Sequence, residues 1–332
     1  MTVSQVSFGS HEPVLEVKDL TVKYVGDTRS TTAVDRVSFS IGTGEIFGLA
    51  GESGCGKSTI ANTIMRLLKD PAKIAGGSIR FGGKDVLAMG PEELRRFRWQ
   101  DVAMVFQSAM NSLNPVLTIG EQITDIYTTH AGYSRKESLR RAAELLELVR
   151  IDPVRLKSYP HQLSGGMRQR AVIAMAVALK PSLLILDEPT TALDVVVQQE
   201  IMAQIKELQH ELGFSVLFIT HDMSLMVELS HRMAVMYGGR IVETAKAADI
   251  HTAPQHPYTQ ALMGAFPPLT GPRIPLTGLA DGVKFHNIPD LAEVTPGHFV
   301  APFAATDTAS AHNSAAACGP ATSPALLEGA AR

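Results

Sequence analysis

Residues 51–59 read GESGCGKST, with Gly51, Gly56, Lys57 and Ser58 at the specified positions of the phosphate loop G-x-x-x-x-G-K-[ST]. In a loop of this kind the backbone N–H groups across Glu52, Ser53, Gly54 and Cys55 surround a β-phosphate. Lys57 then sets a cation between the β and γ groups, Ser58 offers a hydroxyl to Mg²⁺, and Thr59 completes the motif. A second pair of groups follows the apolar run LLIL, where Asp187 and Glu188 stand together. A buried strand ending there delivers both carboxylates to the edge at which open α/β sheets hold ligands. Asp187 then suits a divalent cation and Glu188 suits an attacking water. Read without the phosphate loop, the same DE pair is equally a helix-capping turn. A third string, LSGGMRQR at residues 163–170, places Ser164 at an N-cap ahead of Gly165 and Gly166, a second helix N-terminus that can meet an anion. It is not another phosphate loop, because no Lys-Ser/Thr follows.

The elements that must carry these groups are legible from periodicity. Val14–Lys23 and Val34–Ile41 alternate apolar with polar residues and predict a small antiparallel sheet. Glu45–Gly51 is a short apolar strand breaking into the glycine loop, and Ser58–Leu68 has helical composition, the order the motif requires. Val102–Phe106 predicts a buried strand ending at Gln107. Apolar spacing is then helical over most of Ile119–Leu179, including Lys136–Val149. Ser182–Pro189, Ser215–Thr220 and Arg232–Gly239 resume the strands, with a helix at Val195–Leu212, so the core is predicted as α/β with a parallel sheet.

The bulk numbers exclude several classes. With 332 residues, 45% hydrophobic and 19% charged, the chain can bury a full core. Its net charge of −3 lacks the basic field of nucleic-acid binders, so no nucleic-acid partner is expected. The longest strongly apolar stretch, Ala171–Leu179, is far short of the roughly 20 residues that cross a bilayer. The N-terminal MTVSQVSFGSHEP has neither a basic region nor an apolar one, so no secretory signal is read and a cytoplasmic location is expected.

The phosphate loop with LSGGMRQR resembles the ATP-binding subunit of ABC transporters over roughly residues 14 to 265. PHQLSGGMRQR, NSLNPVLTIGEQI and HPYTQAL are similar to its oligopeptide/dipeptide/nickel importer group. The resemblance implies a P-loop NTPase core of ABC type with a small antiparallel β subdomain, an inserted helical subdomain at about 107–180 and a low-complexity C-terminal tail. The cassette would occupy 1–250, an importer-type extension 251–294 and the tail 295–332. It further implies that His221 contacts the γ-phosphate and that Gln107 touches metal and water. Adenine would stack on Tyr24, which is otherwise a sheet-edge aromatic. The loop from Thr190 to Asp194 would link the two nucleotide sites of a dimer.

Ser164, Gly165 and Gly166 would cap the γ-phosphate held by a partner subunit, so one chain carries two half-sites. The implied partners are a second ATP-binding subunit, identical or not, and transmembrane permease subunits, with an extracytoplasmic solute-binding protein acting indirectly. The implied cofactors are ATP and Mg²⁺, at the cytoplasmic face of the membrane. Di- or oligopeptide import is expected, with oligosaccharide or nickel import by the same engine as the alternative and a soluble ABC ATPase acting on nucleic acid or ribosomes as the less favoured one. SAMNSLNP, after Gln107, varies from the usual start of that loop.

Three further expectations concern single segments. Cys55, at a helix N-terminus among backbone donors, is expected either as a reactive thiolate or as a small packed thiol. Met110, Leu113, Pro115, Val116 and Leu117 make Ser108–Thr118 an apolar loop surface suited to a permease helix. Beyond Lys246 the only cysteine is Cys318, too few thiolates for an iron–sulfur cluster, and His256, His286, His298 and His312 read as scattered solvated side chains. The Ala- and Pro-rich segment from Thr295 is expected to be metal-free and mobile.

Overall fold

Leu183–Asp187 and Ser215–Ile219 are uninterrupted buried runs, and so is Ile46–Ala50. Strands covered on both faces must have that composition, and these form the middle of a parallel sheet. The computed structural model describes residues 13–26, 30–107, 109–190, 193–265 and 288–303.

In chain order, β1 (Leu15–Val25), β2 (Ser30–Ile41) and β3 (Ile46–Ala50) lead into α1 (Lys57–Ile64). Next come β4 (Ala72–Phe81), β5 (Lys84–Asp85), α2 (Pro91–Arg96) and β6 (Val102–Val105). The helices α3 (Ile119–Ala131), α4 (Arg135–Leu148) and α5 (Gly165–Val177) follow. The chain then returns to the sheet through β7 (Leu183–Asp187), α6 (Val195–Leu212), β8 (Ser215–Ile219), α7 (Met223–Leu229), β9 (Arg232–Tyr237) and β10 (Arg240–Lys246). It closes with α8 (Ala247–Thr252), α9 (Pro257–Gly264), β11 (Ala292–Thr295) and β12 (His298–Val300).

The large sheet has the order β11-β12-β10-β9-β3-β8-β7-β6, parallel from β9 to β6 and antiparallel beyond. Alternation along β7 divides the interior. Leu184 and Leu186 join the core beneath α3, α4 and α5, whereas Leu183 and Ile185 join the core shared with α1 and the smaller sheet. The carboxyl ends of β3, β6, β7 and β8 therefore share one edge, where ligands of open α/β sheets sit.

The smaller sheet runs β2-β1-β4-β5, antiparallel throughout. Its expected pair is joined by β4, whose AKIAGGSIRF hides its strand character behind Gly76 and Gly77. After the buried Ala72, burial there resumes only at Ile79 and Phe81. The helical stretch is bounded as side-chain chemistry requires. Thr118 and Glu121 form a reciprocal capping box at α3, and Ser134 and Ser164 cap α4 and α5.

The expectation of a mobile tail from Thr295 fails for its first part. β12 pairs with β10, Glu243 opposite Val300 and Thr244 opposite Phe299, and β11 pairs with β12. The reason is edge chemistry: β10 would otherwise leave its outer backbone groups unpaired. His298 is buried in that pairing and His256 is buried at the cap of α9, so neither is a scattered solvated histidine. His286, His312, Cys318 and residues 304–332 lie outside the described residues.

Candidate functional site

The loop between β3 and α1 has a backbone that only glycine accommodates at two points. Gly51 and Gly56 sit at φ 143° and 108°. A Cβ on the first would lie 2.3 Å from Met236 O, and on the second 2.4 Å from Ala33 O. Glu52, Ser53 and Gly54 stay exposed at the rim, as does Ser58, while Thr59 is half-buried. Lys57 is only 5% exposed. Its Nζ donates to Gly51 O at 2.7 Å and Glu52 O at 2.8 Å, so the cation lies against the carbonyls of the loop it belongs to.

Cys55 corrects the expectation of a thiolate. The side chain is buried, and that burial pushes the thiol pKa up more strongly than the nearby Lys57 ammonium pulls it down. The Lys57 Nζ to Sγ distance is 3.6 Å, and the small-packed-thiol reading holds.

Four sequence candidates meet the loop at the sheet edge. Ser58 Oγ donates to Asp187 Oδ1 at 3.1 Å. Asp187 is 4% exposed, and burial raises its pKa before the Ser58 bond partly restores it. Glu188 adopts φ 48°, a left-handed conformation uncommon for a side chain of its kind, and its N–H donates to Ile219 O at 2.9 Å. That turn aims the carboxylate at two other strand ends. Gln107 Nε2 donates to Oε2 at 2.8 Å, and His221 Nδ1 lies 3.3 Å from Oε1. The segments after β6 and β8 thus supply the two side chains, Gln107 and His221, that meet the Glu188 carboxylate placed just past β7.

The remaining candidates engage their own elements. Ser164 Oγ accepts from Met167 N at 3.2 Å, and Gly165 and Gly166 open α5 beside it. A Cβ on Gly166 would come within 2.9 Å of Val197 Cγ1 on α6. Asp194 Oδ1 accepts from Val197 N at 3.0 Å, starting α6. Tyr24 is 39% exposed near the end of β1. The single chain therefore assembles the loop, Asp187, Glu188, Gln107 and His221, whereas Ser164–Gly166 open α5 beside Leu193 and Val197.

Sequence reading missed two features. Tyr258 Oη accepts from Glu52 N at 3.1 Å, linking HPYT to the phosphate loop; the only hint was that a buried tyrosine hydroxyl needs a partner. Met65, Trp99, Phe106, Ala109 and Met175 line an apolar cavity of about 460 Å³ just before Gln107. In contrast Leu113, expected on an apolar loop surface, is a core residue at 5% exposure, whereas Val116 stands out into solvent.

Residues 34–191 match the family described as ABC transporter, and residues 242–289 match that described as oligopeptide/dipeptide transporter, C-terminal region. The chain is 44% identical over 297 residues to the dipeptide transport ATP-binding protein DppD of Bacillus subtilis, covering 89% of this chain and 86% of that one. It is 47% identical over 256 residues to the protein of the same name in Haemophilus influenzae, covering 76% and 78%. A solved dimer of the ATP-binding cassette MJ0796, in a post-hydrolysis state with ADP and Pi, superposes with a TM-score of 0.63 at 29% identity. That match covers 70% of this chain and 98% of the cassette. On that identity and coverage the chain belongs to the ABC transporter ATP-binding proteins, and it is an ATPase.

Proposed function

We propose that this chain is the ATP-hydrolysing subunit of a peptide importer and that Glu188 is its general base. The observation that carries the reading is the convergence of Gln107 and His221 on the Glu188 carboxylate, beside the loop that holds Lys57. The names of the dipeptide-transport relatives and the match to the oligopeptide/dipeptide C-terminal region support the cargo class.

Mg²⁺ fits the residues present: the Ser58 hydroxyl and the Asp187 carboxylate are a hard oxygen pair, and a cation would offset the burial that disfavours the carboxylate's charge. Bound there, Mg²⁺ would neutralise charge on the phosphate oxygens. The chain's own groups do the rest. The loop N–H groups of residues 53–56 hold phosphate, and Lys57 exchanges its carbonyl partners for phosphate oxygens. Glu188 takes a proton from the attacking water, while Gln107 orients that water and His221 meets the γ-phosphate. Tyr24 supports the adenine.

Ser164, Gly165 and Gly166 open α5 beside α6, a different helix from the α1 that follows the chain's own loop, which favours their service to the loop of a second ATP-binding subunit. Asp194, at the N-cap of α6, would link the two nucleotide sites. The similar ATP-binding cassette MJ0796 is a dimer in its solved structure. Residues 1–250 form the cassette with its helical insertion at 107–180, and the extension from 251 runs on through β12. Among the described residues no helix is long and apolar enough to cross a membrane. Solute passes through permease subunits, a role that the match to the oligopeptide/dipeptide transporter region supports. Their cytoplasmic helix docks in the apolar cavity lined by Trp99 and Phe106. The test is reconstitution with permease and solute-binding protein in vesicles: ATP-dependent dipeptide uptake supports this function, and ATP hydrolysis that never drives peptide uptake contradicts it.

A further inference from the structure

We infer that Tyr258, on the C-terminal extension, is a positioning residue for the phosphate loop: its phenol oxygen holds the Glu52 N–H and thereby fixes the peptide at which β3 turns into the loop. The inference rests on residues 51–59 being the nucleotide site.

Glu52 is gripped at both ends. Its N–H donates to Tyr258 Oη at 3.1 Å, and its carbonyl accepts from Lys57 Nζ at 2.8 Å. When Lys57 turns to phosphate, the Glu52 carbonyl keeps the Cys55 N–H as donor at 3.3 Å, and the Tyr258 bond is the contact that continues to hold the Glu52 N–H. The phenol is well placed to do so. Tyr258 is 1% exposed, its ring packs on Tyr237 with centroids 4.8 Å apart, and burial pushes its pKa upward, so it remains a neutral phenol.

The turn that aims Tyr258 is itself fastened to the sheet. His256 caps α9, its Nδ1 accepting from Tyr258 N at 3.1 Å. Glu243, fully buried on β10, accepts from Gln255 N at 2.8 Å, from His256 N at 3.0 Å and from His298 Nε2 at 2.7 Å. One buried carboxylate thus joins β10, the approach to α9 and β12. A carboxylate at such depth is costly without several donors, and these supply them. The extension consequently reaches the nucleotide site through a backbone N–H without touching nucleotide.

The test uses the full chain with Tyr258→Phe, which keeps the ring and its packing and deletes only the hydroxyl. MgATP and MgADP are each titrated, and hydrolysis is followed at steady state. Affinity for both nucleotides is expected to weaken by the same factor, about three- to ten-fold, the loss of one net hydrogen bond. KM for ATP rises equally while kcat holds within about two-fold, because the loop serves ground and transition states alike. The thermal midpoint of the nucleotide-free chain shifts by no more than about 3 °C. A lowered midpoint with unchanged nucleotide affinity assigns Tyr258 to packing alone and overturns the inference; so does an unchanged KM. Lys57→Ala runs alongside: if it also binds nucleotide normally, the assignment of residues 51–59 fails and this inference with it, whereas a normal Lys57→Ala defect beside a silent Tyr258→Phe overturns the inference only.

Discussion

Gln107 Nε2 donates to Glu188 Oε2 at 2.8 Å, which ties the residue just past β6 to the one just past β7. The apolar cavity of Trp99 and Phe106 abuts the same end of β6. Movement of a docked helix therefore reaches the proposed base through one side-chain amide. Gln107→Ala should lower hydrolysis about ten- to hundred-fold, the loss of a hydrogen bond to a charged group, with MgATP affinity unchanged. Titration and turnover measured on one preparation check this; a parallel loss of affinity contradicts it.

Leu113 and Phe106 separate packing from docking. Leu113 sits in the core under the helices, so Leu113→Asp should destabilise the chain by about 3–5 kcal/mol through an unpaired buried charge and lost packing. Phe106 is exposed and lines the cavity. Phe106→Asp should keep the thermal midpoint and nucleotide affinity while reducing ATP-driven uptake at least about ten-fold. Denaturation and vesicle uptake on both variants distinguish the two roles.

The glycine loop and the catalytic strand ends were readable because their chemistry is local: Gly51, Gly56, Lys57 and Ser58 are contiguous, and Asp187-Glu188 and His221 each terminate an unbroken apolar strand. What escaped depends on contacts across long separations. Tyr258 meets Glu52 from 206 residues away, and His298 meets Glu243 from 55 away, neither of which periodicity encodes. Cys55 was ambiguous because a helix N-terminus and burial push a thiol in opposite directions, and only the packing decides. β12 was hidden by composition, since a three-residue strand in Ala- and Pro-rich sequence is supported by the edge of β10 rather than by its own propensity.

Cys55 should alkylate slowly. With its thiol raised above the ordinary value of 9.0 and its side chain buried, iodoacetamide at pH 8 should modify it at least about ten-fold more slowly than a free thiol, with or without MgATP. Mass spectrometry of the timed reaction reads this out. Rapid labelling that MgATP blocks contradicts it.

His256 gives the fold an acid limit. Burial, only partly opposed by Glu243, lowers its pKa from 6.5 to about 4. The unfolded chain then binds the proton first, so stability from neutral His256 is complete above about pH 6.5. It is lost as pH falls toward 4, by about 3 kcal/mol in all. His256→Asn retains a capping acceptor without a titrating ring and should flatten the fall of thermal midpoint between pH 6.5 and 4. An unchanged slope in that window contradicts the assignment.

Glu188→Gln tests the account most directly, because the amide can still hold water and accept from Gln107 but cannot take a proton. Steady-state hydrolysis and molecular mass are measured on the same variant with MgATP. The expected result is turnover reduced at least about 10²-fold, ATP affinity preserved and a stable ATP-bound dimer. Near-normal hydrolysis in a correctly assembled variant would remove Glu188 as the base and contradict the account.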